Sequence, residues 1–230
     1  MEPEFNKFAK SYEELLRDPI RDGFASNSLF FHVRKSELIR AHFRNRGMNT
    51  HKLSYLDLGC GKGELLQLLA GEFNETAGCD PSPGMLESIP GAATRVQLDP
   101  FTVPFEDARF DFVTAVCVYH HIPPEKRPRV TSEAYRVTNP GGTFCIVEHN
   151  PYNPATQIIT RRAPVDVDAI LLRAREVKGL LTGAGFEILG CTYFLYLPER
   201  LYRKWERIED LLGSIPIGGQ YAVFARRPAP

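Results

Sequence analysis

The sequence has no excess of charge of either sign: 28 lysines and arginines balance 28 aspartates and glutamates in 230 residues. A neutral chain sets up no global field toward nucleic acid or anionic membrane, so no nucleic-acid partner is expected. No apolar run is long enough to cross a bilayer, and the start, Met1-Glu2-Pro3-Glu4, is acidic without an apolar signal core. A cytoplasmic protein without membrane insertion is the expectation. Cysteine is sparse and odd in number. Cys60, Cys79, Cys117, Cys145 and Cys191 form no CxxC pair and sit mostly in apolar runs, which suits buried free thiols better than disulfides or metal ligation. Internal repeats and low-complexity tracts are lacking as well.

What is present is the material of one large α/β domain spanning 1–230, with 43% apolar residues to build its core. Helical spacing predicts helices over 5–17 and 28–46, with Asp18-Pro19 and Asp22-Gly23 breaking the chain between them. From residue 53 strands and helices alternate. Strands are expected at Leu53–Leu58, Thr76–Cys79, Thr94–Leu98, Phe110–Val118 and Thr143–Glu148, with helices at Glu64–Leu69, Pro83–Ser88, 124–137 and 168–181. Phe110–Val118 is nearly all apolar and β-branched, as a strand buried on both faces must be. Phe186–Leu197 and Tyr221–Ala225, separated by the polar helix Glu199–Leu212, are expected as an antiparallel pair at the sheet edge. The pattern predicts a doubly wound, mostly parallel, Rossmann-like sheet of seven strands with helices on both faces. Residues 1–50 would form a helical lid on a core of 51–230, with a helical insertion near 198–219. Ligands of such sheets bind at the carboxyl ends of the strands.

The strongest local signal is Asp57-Leu58-Gly59-Cys60-Gly61-Lys62-Gly63-Glu64, where a strand runs through alternate glycines straight into a helix. Glycine permits positive φ and lets a ligand approach the backbone closely. A new helix also presents unpaired N–H groups to an anionic group. Asp57 can accept from an ammonium group. Asp80 ends the next strand about 20 residues on, the spacing that places a carboxylate on ribose hydroxyls. Asp99 is expected to end the third strand, so three consecutive strands would finish in aspartate at one edge.

These elements, in this order, resemble the class I S-adenosylmethionine-dependent methyltransferases. DLGCGKGE at 57–64 is similar to their glycine motif, CDPSPGML at 79–86 to their acidic loop, and RVTNPGG at 136–142 to their turn into the fifth strand. The resemblance implies S-adenosylmethionine as cofactor and a methyl acceptor of small-molecule type. Its methionine part would lie on Asp57, Gly59, Cys60, Gly61 and Gly63, with its ribose on Asp80. Pro81, Met85, Asp99, Phe101 and Cys117 would complete the cofactor site around the adenine and the end of the fourth strand. Pro100 departs from the family by removing a backbone donor at the adenine.

Two other classes stay open. A nicotinamide dehydrogenase shares the glycine loop and the distant acid, but its GxGxxG needs a glycine where Glu64 stands. A binder or a cyclase could use the same fold without methyl transfer. The (Asn/Asp)-Pro-Pro-(Tyr/Phe) motif of family members that modify planar amines is not found after the fourth strand, where Val118-Tyr119-His120-His121 stands, so methylation of DNA bases is not expected; Asn150-Pro151-Tyr152-Asn153-Pro154 reads as a prolyl turn. Histidine suits a general base near neutral pH, which makes His121 and His149 the catalytic candidates. Adjacent side chains in an extended chain point opposite ways, so only one of His120 and His121 should face the acceptor. No closed set of metal ligands is legible, and no metal is expected. The aromatic run Phe24, Leu29, Phe30, Phe31 and His32, with Tyr193, Phe194 and Tyr196, suggests an apolar acceptor pocket.

Overall fold

A computed structural model describes residues 4–8, 11–87, 89 and 93–229. Seven strands form one sheet among these residues, in the order β3-β2-β1-β4-β5-β7-β6. The strands are β1 (Ser54–Leu58), β2 (Glu75–Asp80), β3 (Ala93–Val96), β4 (Phe110–Val116), β5 (Thr138–His149), β6 (Glu187–Phe194) and β7 (Gln220–Arg226). The first five run parallel, and β7 pairs antiparallel with both β5 and β6. The expected architecture is therefore observed.

Side-chain alternation explains why helices cover both faces. On β5, Phe144 and Ile146 join one apolar cluster with Val130, Ala134, Val177 and Leu181, which come from α6 (Arg127–Val137) and α8 (Ala174–Gly183). Cys145 and Val147 face the opposite cluster, with Ile39 and Phe43 of α3 (Leu29–Arg44) and Leu65 and Leu66 of α4 (Glu64–Leu68). Tyr202 of α9 (Glu199–Leu212) closes this second layer. Among the described residues no helix is long and apolar enough to cross a membrane.

The front of the chain departs from expectation. In place of one helix over 5–17 there is a 3-10 turn at Glu4–Phe8 and a short α1 (Tyr12–Leu15), with residues 9 and 10 outside the described ones. Asp18-Pro19 does not break the chain: Asp18 Oδ1 accepts the Ile20 N–H at 2.8 Å and opens α2 (Pro19–Phe24). Asn153-Pro154 repeats the device. Asn153 Oδ1 accepts the Thr156 N–H at 2.9 Å, and the segment read as a turn leads into α7 (Pro154–Arg162). Proline at the first helical position loses no hydrogen bond, so an acceptor followed by proline is a start signal. The helix expected to reach Ser88 is α5 (Pro83–Leu86); Ser88 lies outside the described residues.

Candidate functional site

β1 and β2 bring the first half of the site together at their carboxyl ends. Gly59, Gly61 and Gly63 all take left-handed φ, at 69°, 53° and 74°. A Cβ on Gly59 would lie 2.6 Å from Val118 Cγ2, so this loop packs directly on the chain leaving β4. At Gly61 a Cβ would meet nothing within 4 Å. The Gly61 N–H donates to Asp80 Oδ2 at 3.0 Å, and the Ser82 N–H donates to Asp80 Oδ1 at 2.8 Å. Both bonds hold the carboxylate fixed beside the open backbone, and next to it the buried Ser82 hydroxyl has no hydrogen-bond partner among the described residues.

Asp57 is buried in β1 and accepts the Thr114 hydroxyl at 2.6 Å. Burial raises its pKa to about 7, with the Thr114 bond and the charge of Lys35 pulling the other way. A carboxylate so far from water favours a ligand that brings positive charge. Cys60 and Met85 are buried against the same loops, and burial pushes the Cys60 thiol up. Pro81 follows Asp80 into α5, half-buried, and Phe101 is half-buried beyond β3.

Asp99 does not end its strand. β3 stops at Val96, and Asp99 sits in a surface turn where it accepts from the Phe101 N–H, the Thr102 hydroxyl and Arg129 of α6. Its carboxylate is occupied by its own turn, which explains a pKa below the usual range. β2 ends in Asp80 and Asp57 is the penultimate residue of β1, so two strands, not three, bring an aspartate to this edge.

The second half lies beyond β4. Cys117 adopts a left-handed φ of 56°, rare for a side chain. Burial opposes its ionisation, yet the charges of Lys35 and His149 outweigh it and bring the thiol down to about 7. Gln220 Nε2 reaches both Cys117 Sγ and His149 Nδ1 at 3.4 Å. The strand expected to run to Val118 ends at Val116, and Tyr119–His121 is a 3-10 turn rather than extended chain. His120 and His121 therefore do not point opposite ways. Their rings lie 4.1 Å apart, and both Nε2 atoms converge on Asp166 Oδ1, at 3.6 and 3.5 Å. His120 Nδ1 bonds Glu148 Oε2 at 2.6 Å, while Glu148 Oε1 accepts the Tyr119 N–H at 2.7 Å. Burial disfavours the His120 imidazolium, but Glu148 and Asp166 overcome it and raise its pKa to about 10. Burial and the neighbouring His120 charge lower His121 to about 3. That is a poor match to general-base work at neutral pH. The His149 ring stands 5.0 Å from that of His120.

Lys35, Glu148, Asp166 and Tyr12 escaped sequence reasoning. Glu148 was visible beside His149, but nothing local marked Asp166 or the front residues. Tyr12 of α1 is within electrostatic reach of both halves: loss of water, and then the charges of Asp166, Cys117 and Glu64, raise its phenol. A separate cavity of about 270 Å³, lined by Glu13, Arg17, Arg21, Asp22 and Phe31, lies among the front helices and includes none of the residues above.

A methyltransferase-domain family model matches residues 56–146, the span of the glycine loop through β5. Among curated proteins, the chain is 26% identical over 159 residues to a tRNA N(3)-methylcytidine methyltransferase of Drosophila melanogaster, covering 58% of this chain and 49% of that one. It is 33% identical over 114 residues to the demethylmenaquinone methyltransferase of Symbiobacterium thermophilum, covering 43% of each. The chain spans about half the length of these relatives or less. A solved S-adenosylmethionine-dependent methyltransferase from Thermotoga maritima superposes with a TM-score of 0.67 at 17% identity, covering 97% of this chain and 98% of that one.

Proposed function

We propose that this chain, a methyltransferase domain carried on the class I S-adenosylmethionine-dependent methyltransferase fold, transfers a methyl group from S-adenosylmethionine to a small-molecule acceptor. The observation that carries the reading is the glycine loop locked to Asp80 through the Gly61 N–H, beside a desolvated Asp57. Asp57 would hold the cationic amino group and Asp80 the ribose diol, each charge-assisted bond contributing roughly 1.5–3 kcal/mol. The unpaired Ser82 hydroxyl and the buried Met85 would meet the nucleoside, with Phe101 beyond it. When bound, the cofactor supplies a methyl group already activated on a sulfonium, so the protein's task is to aim the acceptor.

An acceptor would sit among Cys117 and His121, past β4, and His149, at the end of β5. Tyr12 and the front helices would form the lid that excludes water. A planar hydroxylated ring is favoured by the similarity to a demethylmenaquinone methyltransferase and by the balanced charge of 28 against 28, which provides no field for RNA. The similarity to a tRNA enzyme keeps an RNA acceptor as the second reading.

Calorimetry with S-adenosylhomocysteine should find one site per chain, and Asp80→Ala should weaken it by about tenfold or more. Unchanged affinity would remove the ribose assignment, and NADH binding instead would move the chain to the dehydrogenases. Labelled cofactor screened against phenols, quinols and tRNA then names the acceptor. Tight cofactor binding with no methyl transferred to any of them would favour the binder or cyclase reading.

A further inference from the structure

We propose that His120, His121 and Asp166 form a site for one divalent first-row transition ion, with Zn²⁺ the natural occupant. Nε2 of each histidine lies 3.6 and 3.5 Å from Asp166 Oδ1, and the three donor atoms all fall within 4.8 Å of one another. Those separations are longer than the roughly 2.7–3.2 Å of an ordinary N–H···O hydrogen bond. The two histidine–aspartate separations are close to the edge of a coordination tetrahedron: metal–ligand bonds of about 2.0–2.1 Å place neighbouring ligands roughly 3.3–3.4 Å apart, so a small approach of the two imidazoles completes the set.

The surroundings have the form such a site requires. Glu148 binds His120 Nδ1 at 2.6 Å, which leaves Nε2 as the atom aimed at the shared centre. Both loops are held in place from beneath. The Arg127 guanidinium, buried in α6, donates to the carbonyls of Tyr119, Ile122 and Ile170 at 2.8–3.1 Å. The Ile170 N–H donates to the His120 carbonyl at 2.8 Å, which couples the histidine turn to the segment carrying Asp166. An arginine and a backbone bond thus fix the spacing of ligands that lie far apart in sequence. Two imidazoles and one carboxylate suit zinc, cobalt or iron rather than calcium or magnesium.

Three protein ligands leave a fourth position. If the methyltransferase reading holds, that position would take an oxygen or nitrogen of the acceptor. Metal binding itself does not depend on that reading.

Untagged, full-length protein is stripped with a chelator, dialysed against Zn²⁺, and separately titrated with Co²⁺ while its visible absorption is followed. About one ion per chain, with the intense absorption of four-coordinate cobalt, is expected. Asp166→Asn and His121→Asn should each lose at least about tenfold in affinity, and Glu148→Gln roughly 10–100-fold. S-adenosylhomocysteine affinity, measured on every variant, reports that the fold is intact. Absence of stoichiometric binding, or full affinity in a folded ligand variant, overturns the site. Metal binding without S-adenosylhomocysteine binding would support the metal site and sink the methyltransferase reading.

Discussion

Asp57 shows how burial turns a common side chain into a gauge of its ligand. Held up to about 7 by desolvation, it keeps its proton more tightly in the folded protein than in the unfolded chain. Its contribution to stability is therefore present at low pH and is lost as pH rises from the unfolded value near 4 through about 7. A cationic amino group beside it reverses the balance by favouring the carboxylate. Affinity for S-adenosylhomocysteine, measured by calorimetry, should accordingly rise between about pH 6 and 8, and Asp57→Asn should flatten that rise. A wild-type profile already flat over this range would mean that Asp57 stays ionised without ligand, or that the amino group binds elsewhere.

At the scale of elements, a buried carboxylate in the second half of α9 ties it to α3 and to the end of β6. Glu209 pairs with Arg34 of α3 at 2.8 Å and accepts the N–H groups of Leu195, Tyr196 and Leu197 where the chain leaves β6. Glu209→Ala leaves a buried guanidinium and three backbone donors short of a partner. We expect it to cost roughly 3–5 kcal/mol in denaturant unfolding; a loss under about 1 kcal/mol would show that water replaces the carboxylate. Neither partner was legible beforehand, since Arg34 and Glu209 read as ordinary charges on helical faces. The hidden α2 and α7 have a different cause: Asp18-Pro19 and Asn153-Pro154 contain a cap and a first-turn proline, and the proline was read as a breaker. The parallel core was legible because its strands are apolar on both faces, as in Phe110–Val116.

The molecule as a whole divides its site between what is contiguous in sequence and what is not. Asp57 and Asp80 belong to one strand-helix-strand unit, so local spacing made their shared edge legible, whereas Asp99, expected at a strand end, lies in a turn that occupies its carboxylate. The half beyond β4 joins a β4 turn, a β5 glutamate and Asp166, and strand order, the Arg127 clamp and the Ile170–His120 backbone bond bring them together. The fastening of α9 to α3 has a consequence of the same long-range kind. A segment near the front of the chain and one near its end share a buried ion pair, so they should open to solvent as a single cooperative unit. Deuterium uptake in Glu209→Ala should therefore quicken across residues 29–44 and 199–212 together, while the amides of β1, β4 and β5 stay slow. Faster exchange confined to 199–212 would show two independent units, with α3 keeping its own protection without help from the far end of the chain.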